Sequence, residues 1–583
     1  MDTQSPRSGC PLNSRSFAST HKRVVDPDTI EKLPGKAFTR RDLLKVSGVG
    51  ASAAALASVG SLAWMPKRVA NAASVATKSD IQFDLAGFAH PAMAFTNTEL
   101  NASVPVDFSA IFTFFAPAAL TRNPTKSDQT VLANALNTIE ANFDFSPSGI
   151  FTFVSYGVPY FNRLSQSLVS AHIPTLTFDS TRSVLEEAVP GPTDFGPQNP
   201  TITKLQANFR VPVQIEKNDV LFTFRSDSLD NIVNVLEWLQ GSNDLNGNGI
   251  ASPAFNGLFS FGPTRFNFVQ PGLPRQVADE LAAQGVPQFV AVHTEINPQS
   301  SMIMGFVDQM LDGSAPKASI VTFAGTGPNS TGTGAATLTS AVAGDYFDNG
   351  AIQHLSHVLD DLEQFYAKTG APQFPDGPEP FSERVQYMFH SRRADGSHQF
   401  PFPENPNDAF TNGGGLGNLD GTTQSLQNAT ILPDFTLGAE AIFQNFDPEV
   451  LTQATDPHQK LRVGHEFALQ RSSRAQDGTA LHIRNDGPGV SSLDVPDGST
   501  VATLEFTIFV PTSDFFQAMR VNAASLDLVK EGQNGGTGTS VPPGVEAADS
   551  GDDGLERFIS ATRRQNFLIP PRRHRSFPLL ELT

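Results

Sequence analysis

Hydrophobic positions along this chain change period repeatedly, between the two-residue repeat of a strand and the 3.6-residue repeat of a helix. Residues 108–118 (Phe-Ser-Ala-Ile-Phe-Thr-Phe-Phe-Ala-Pro-Ala) read as a β-strand rich in aromatic side chains. From 127 to 143, Val131, Leu132, Ala135, Leu136 and Ile139 share one helical face, with Ser127 or Asp128 as N-cap. Gly149 to Tyr156 alternates apolar and hydroxyl residues as a strand, and Gly157-Val158-Pro159 turns it. A second strand–helix unit follows at Asp219–Arg225 and Ser228–Leu239, and a further strand is expected over Gln288–His293. Beyond a Gly/Ser/Thr/Ala-rich stretch from about 313 to 350, Ala351–Tyr366 starts as a strand and runs into a helix. Leu504–Val510 and Ser513–Val521 then repeat the strand–helix order.

This pattern predicts an α+β chain of two related halves, each with antiparallel strands and helices on one face. The expected division is 1–72 as a leader, 78–330 as the first half and 331–530 as the second. Residues 531–583 then form a Gly/Pro linker and an arm carrying Arg563, Arg564, Arg572, Arg573 and Arg575.

Charge narrows the function. With 40 Lys+Arg against 59 Asp+Glu the net charge is −19, which argues against a nucleic-acid-binding surface. The leader reads as a twin-arginine export signal: Thr39-Arg40-Arg41-Asp42-Leu43-Leu44-Lys45, an apolar small-residue run from Val46 to Met65, then Ala70-Asn71-Ala72 for a peptidase. Its removal takes away 11 Lys+Arg and 5 Asp+Glu, so the charge falls from −19 to −25, and the single cysteine, Cys10, goes with it. The mature chain would have no thiol for a disulfide, a zinc–thiolate site, an iron–sulfur cluster or a Cys-ligated haem. The expected partners include the twin-arginine machinery, and the expected location is the periplasm, the cell envelope or the exterior.

Several motifs carry little. Gly325-Thr326-Gly327 lacks a following helix, and Asp244-Leu245-Asn246-Gly247-Asn248-Gly249 has Phe255 where a calcium loop needs its closing glutamate. A more informative constellation is dispersed: Gly305-Phe306-Val307-Asp308, Gly464-His465 and His482-Ile483-Arg484-Asn485. Taken singly, each has an ordinary structural reading, as a turn cap, an interior histidine or a surface ion pair.

Taken in order, these segments resemble the dye-decolorizing peroxidase family, over approximately residues 105–525, which implies an α+β fold of two ferredoxin-like halves with antiparallel sheets and helices packed outside, in the manner of a dimeric α+β barrel. Gly149–Phe161 is similar to a first-half strand and its turn, and Asn218–Phe224 to the Gly-Asp-Leu strand. Gly305–Asp308 is similar to the Gly-x-x-Asp-Gly signature, and Gly350–Phe365 to the opening of the second half. The resemblance implies haem b, held by His465 as axial ligand, with Asp308 and Arg484 on the opposite face and Gly305 and Phe306 lining the pocket. It implies hydrogen peroxide and a dye or phenol-like electron donor as substrates, and it allows a homo-oligomer. Two departures matter. Gln309 replaces the second glycine of the signature, and His482 competes with His465 as ligand. Side chains two residues apart on a strand share a face, so a ligand at 482 would approach from the side of Arg484. A haem-binding or haem-free protein without turnover, and a haem- or iron-acquisition protein, are the other readings of the same fold.

The chain has 46 Phe but only 5 Tyr and 2 Trp, one of them Trp64 in the leader. Phe is hard to oxidise, so Trp238, Tyr346, Tyr366 and Tyr387 are the few stations that could relay electrons from a bulky donor.

Overall fold

The first helix starts where the chain supplies its own cap. In the computed structural model Thr125 accepts from the Asp128 backbone N–H while the Asp128 carboxylate accepts from the Thr125 N–H, a reciprocal capping box. The expected caps, Ser127 and Asp128, therefore lie inside the first turn. The structure describes residues 78–85, 111–177, 179–191, 194–196, 209–269, 272–296, 302–304, 317–325, 338–366, 373–374, 377–378, 482–516 and 558–583.

In chain order the first half runs β1 (Ile111–Leu120), α1 (Lys126–Asn142), β2 (Phe151–Gly157), α2 (Val158–Asn162), α3 (Gln166–His172), β3 (Gln214–Ile215), β4 (Val220–Ser226), α4 (Leu229–Leu239), β5 (Phe259–Phe261) and β6 (Arg265–Val269). Two helices follow, α5 (Leu273–Ala283) and α6 (Pro287–Val292). The second half contains β7 (Ala351–Asp360), α7 (Leu362–Tyr366), β8 (Gln373–Phe374), β9 (Gly377–Pro378), β10 (Ile483–Arg484), β11 (Gly487–Ser491), β12 (Val501–Val510) and β13 (Ile559–Ile569).

Pairing is antiparallel in the order β6-β1-β4-β2 in the first half and β13-β7-β12-β11 in the second. Each is the 4-1-3-2 order of a ferredoxin-like β-α-β-β-α-β unit. The fourth strand of the second half joins the second strand of the first through Phe567↔Gly157 and Leu568↔Tyr156. Across the other seam β6 lies against β11. A Cβ on Gly489 would stand 2.5 Å from the Phe266 carbonyl, and Asn267 donates to the Asn485 carbonyl at 3.0 Å. Only glycine allows that approach. The two sheets thus curl into one barrel with helices outside, the fold that the resemblance implies.

Alternation sorts the strands into two layers. Phe112, Phe114, Phe222 and Phe224 face outward and pack with Leu132, Leu136, Ile139, Ile232 and Leu236 of α1 and α4. Phe115, Leu221, Leu355 and Phe567 meet inside the barrel, beside a polar layer in which Ser155 donates to Gln353 Oε1 and Gln353 donates to Thr223 Oγ1.

Two expectations change. Gln288–His293 is not a strand: Pro287 opens α6, and Gln288 sends its amide to the Asp360 carbonyl. Residues 531–583 are not merely linker and arm, because β13 is the strand that joins the halves. Its polar sequence, Ser560-Ala561-Thr562-Arg563-Arg564-Gln565-Asn566, hides a strand buried on both faces. The arginines after it do act as a strap: Arg572 and Arg575 pair with Glu140 of α1, and Arg573 with Asp80 and Asp348. The Gly/Ser/Thr/Ala-rich stretch before β7 also contributes core, since Phe323 and Phe347 are buried. Among the described residues no helix is long and apolar enough to cross a membrane.

Candidate functional site

Strand β7 carries two buried histidines three residues apart, so they leave the sheet on opposite sides. His354 faces outward. Register places it in one cross-strand row with Ile508, Arg484 and Asn566, contributed by β12, β10 and β13. Ser356 and Arg564 are opposite each other in the next row.

A continuous hydrogen-bond chain runs along this outer face. Asp194 takes two bonds from Arg564, at 2.6 and 2.8 Å, and Arg564 Nη1 donates to Ser356 Oγ at 2.8 Å. The serine hydroxyl has one proton to give, and His354 Nε2 stands 2.6 Å from it. His354 Nδ1 then carries the ring proton, which it donates to Asn566 Oδ1 at 2.7 Å. The ring lies on Phe516, centroids 3.4 Å apart, and the Arg564 guanidinium sits 5.5 Å from the same phenyl ring. Direction, tautomer and ring plane of His354 are all fixed.

His357 points into the barrel. Its Nδ1 is 2.6 Å from Glu505 Oε1 and its Nε2 is 3.3 Å from the Leu493 carbonyl. A carbonyl only accepts, so the imidazole donates at Nε2. Beyond it Arg563 bridges Asp494 and Glu216, and Glu216 also pairs with Arg265.

Asp360 closes β7. Its Oδ1 is buried without a hydrogen-bond partner among the described residues. Burial, and then the negative charge of Glu505, push its carboxyl up to about 8. Folded Asp360 keeps a proton that the unfolded chain releases near pH 4, so stability falls as pH rises from about 4 to about 8. Asp360→Asn should remove this slope. Denaturant unfolding at pH 7 should show the variant more stable by on the order of a few kcal/mol, with the difference vanishing near pH 4. Parallel stability profiles would refute this reading of Asp360.

Arg484 is the one residue of the expected catalytic set among the described residues. It lies on β10 with its side chain 31% exposed and Asp486 at 3.9 Å. His482 immediately precedes β10, two residues before Arg484, so alternation gives it the same side of the strand. Asp308, His465, Gly305 and Phe306 lie outside the described residues; Ile303 and Met304, just before that segment, are packed in the core. Of the relay candidates, Trp238 and Tyr366 are buried and Tyr346, partly exposed, donates to Glu581; Tyr387 lies outside the described residues. The patterning gave no cue to Asp194 or to the Arg564–Ser356–His354 chain. The available signal was the polar content of β7, where Gln353, His354, Ser356 and His357 interrupt an apolar strand.

Haem, the group implied by the resemblance, asks for one imidazole nitrogen, an apolar bed and a cation near the oxygen it acts on. Both ring nitrogens of His354 and of His357 are engaged, so neither suits an axial role as placed. Arg484, with Ile508 and His354 following in its row, suits the cation's part.

Residues 192–395 match the model of a family of unknown function, DUF7405. No curated protein matches the chain. Among solved structures, the chain is similar to the encapsulated DyP-type peroxidase from Mycobacterium smegmatis, at 13% identity and TM-score 0.37, over 82% of this chain and 97% of that one. It is similar to the DyP-type peroxidase from Cellulomonas bogoriensis at 13% identity and TM-score 0.38, over 80% and 91%. A variant of DypB from Rhodococcus jostii in complex with heme gives 12% identity and TM-score 0.38, over 82% and 97%.

Proposed function

We propose that the chain is an exported haem peroxidase of the dye-decolorizing type, reducing hydrogen peroxide at the expense of a small electron donor. The observation behind this reading is the agreement of two independent features. One is the ordered series of segments Gly305–Asp308, Gly464-His465 and Ile483-Arg484. The other is the pair of 4-1-3-2 sheets joined as a barrel, with Arg484 at the edge of the second.

Haem b, when bound, supplies the electrons that split the peroxide. His465 would hold it through its imidazole, and Gly305 and Phe306 would line its pocket. The Asp308 carboxylate takes the proton from one peroxide oxygen and returns it to the oxygen that departs. The Arg484 guanidinium stays charged and offsets the negative charge that grows as the oxygen–oxygen bond breaks. Export through the twin-arginine route completes the proposal, with cleavage after Ala72.

The test is an absorbance spectrum of the purified mature protein, whose N-terminal residue also reads the cleavage site. A Soret band that shifts on adding peroxide is expected. His465→Ala should lose the band. Arg484→Leu should keep it and slow peroxide consumption by ~10²–10³-fold. A band in His465→Ala, or an unchanged rate in Arg484→Leu, would remove the assignment. A band indifferent to peroxide would favour the non-catalytic reading that Gln309 suggests.

A further inference from the structure

Arg225 stands on the inner face of β4, with Thr113 of β1 on one side and Phe151 of β2 on the other. Its Nε donates to Thr113 Oγ1 at 3.1 Å and its Nη1 to Asn485 Oδ1 at 2.8 Å. Both partners are neutral. Among the described residues no carboxylate pairs with this guanidinium, whereas Arg563 and Arg265 share Glu216, and Arg564 holds Asp194. Burial, with no acidic group opposing it, pushes the Arg225 guanidinium down to about 10. A half-buried cation without a countercharge is costly, because hydroxyl and amide dipoles replace only part of the hydration it loses.

The arrangement also leaves donors over. Asn485 turns its carbonyl oxygen to Arg225, so its Nδ2 remains, together with Arg225 Nη2, without a partner among the described residues. The surroundings are apolar. Ile483, two residues before Asn485 on the same face, packs at the rim of the cluster formed by Phe151, Phe153 and Phe509. Phe83, from the short described segment 78–85, stacks on Phe509 with centroids 4.4 Å apart.

We propose that Arg225, Thr113 and Asn485 form an anion site at this mouth of the barrel, which takes a monocarboxylate whose apolar body lies against Ile483 and Phe151. One guanidinium balances one negative charge, and its planar fork matches the two oxygens of a carboxylate. A dianion such as phosphate would bring in a second charge with nothing to meet it. The site is independent of the haem reading, since none of its residues belongs to the proposed peroxide machinery.

The experiment follows the melting temperature of the full mature protein in benzoate, in benzamide and in inorganic phosphate at matched ionic strength. Benzoate should raise Tm saturably, and the isosteric neutral amide and phosphate should not. Arg225→Gln should weaken benzoate by ~10²-fold, and Arg225→Lys by less. A flat response to benzoate, an equal response to benzamide or phosphate, or wild-type benzoate affinity in Arg225→Gln would each overturn the proposal. If Arg225→Gln does not fold, the three-probe comparison on the unaltered protein still decides. None of these readings uses the Soret band, so the haem assignment and this site can fail separately.

Discussion

A chain lacking residues 558–583 should fail to give a cooperative unfolding transition. Those residues supply β13, which pairs along its length with β7 and ties the second sheet to β2. Without it the two halves lose their shared strand, and β2 and β7 each gain an open edge, a hazard for aggregation. Phe567, Leu568, Ile569, Phe577 and Leu579 are fully buried, each worth roughly 1.5–3 kcal/mol of burial. Together they rival the whole net stability of a typical domain, about 5–15 kcal/mol. Polar ties are lost as well: Tyr156 donates to the Arg575 carbonyl at 2.8 Å and Tyr160 to that of Pro578 at 2.7 Å. Circular dichroism melts and size exclusion would check this. A shortened chain that eluted as a monomer and melted within a few degrees of the full one would show that β13 is dispensable.

The same strand marks the boundary of what the sequence discloses. α1, β2, β4 and α4 were legible because one side of each faces an apolar layer, so Leu132, Leu136, Ile232 and Leu236 recur at helical spacing and Phe222 and Phe224 at strand spacing. β13 lacks that contrast. Over residues 563–566 its inner face meets the polar part of the barrel lumen, and its outer face meets Asp194 and His354. Arg564, Gln565 and Asn566 therefore look like solvent-facing residues, although they are buried. A period-two pattern reports a difference between two environments, and here both are polar and closed. The expected strand at Gln288–His293 fails for a different reason. Its run Phe289-Val290-Ala291-Val292 is too short for periodicity to choose, and Pro287 decides for helix. Arg484 was legible as a candidate through its neighbours in sequence. Its place in a row with His354 was not, since that row depends on pairing β10, β12 and β7, which are far apart along the chain.

Arg564→Met should destabilise the protein by about 3–5 kcal/mol, the cost of leaving a buried carboxylate without its cation. The side chains of Arg564 and Asp194 are 2% and 0% exposed and joined by two short bonds, so water cannot replace the guanidinium without opening the outer face. Asp194→Asn should cost a comparable amount by stranding the arginine. The double variant Arg564→Met with Asp194→Leu should recover much of the loss, because neither buried charge then remains. Urea unfolding of the parent, the two single variants and the double variant measures the coupling; strictly additive losses would mean that the pair is not the unit its geometry indicates. Arg564→Met has a second consequence at His354. Ser356 would lose the donor that fixes the direction of its hydroxyl, and His354 Nε2 would no longer be held as an acceptor. Nitrogen shifts of the His354 ring should then move from a single Nδ1–H tautomer toward a mixture. That readout separates the orienting role of Arg564 from its contribution to stability, because a purely structural ion pair would leave the imidazole tautomer unchanged.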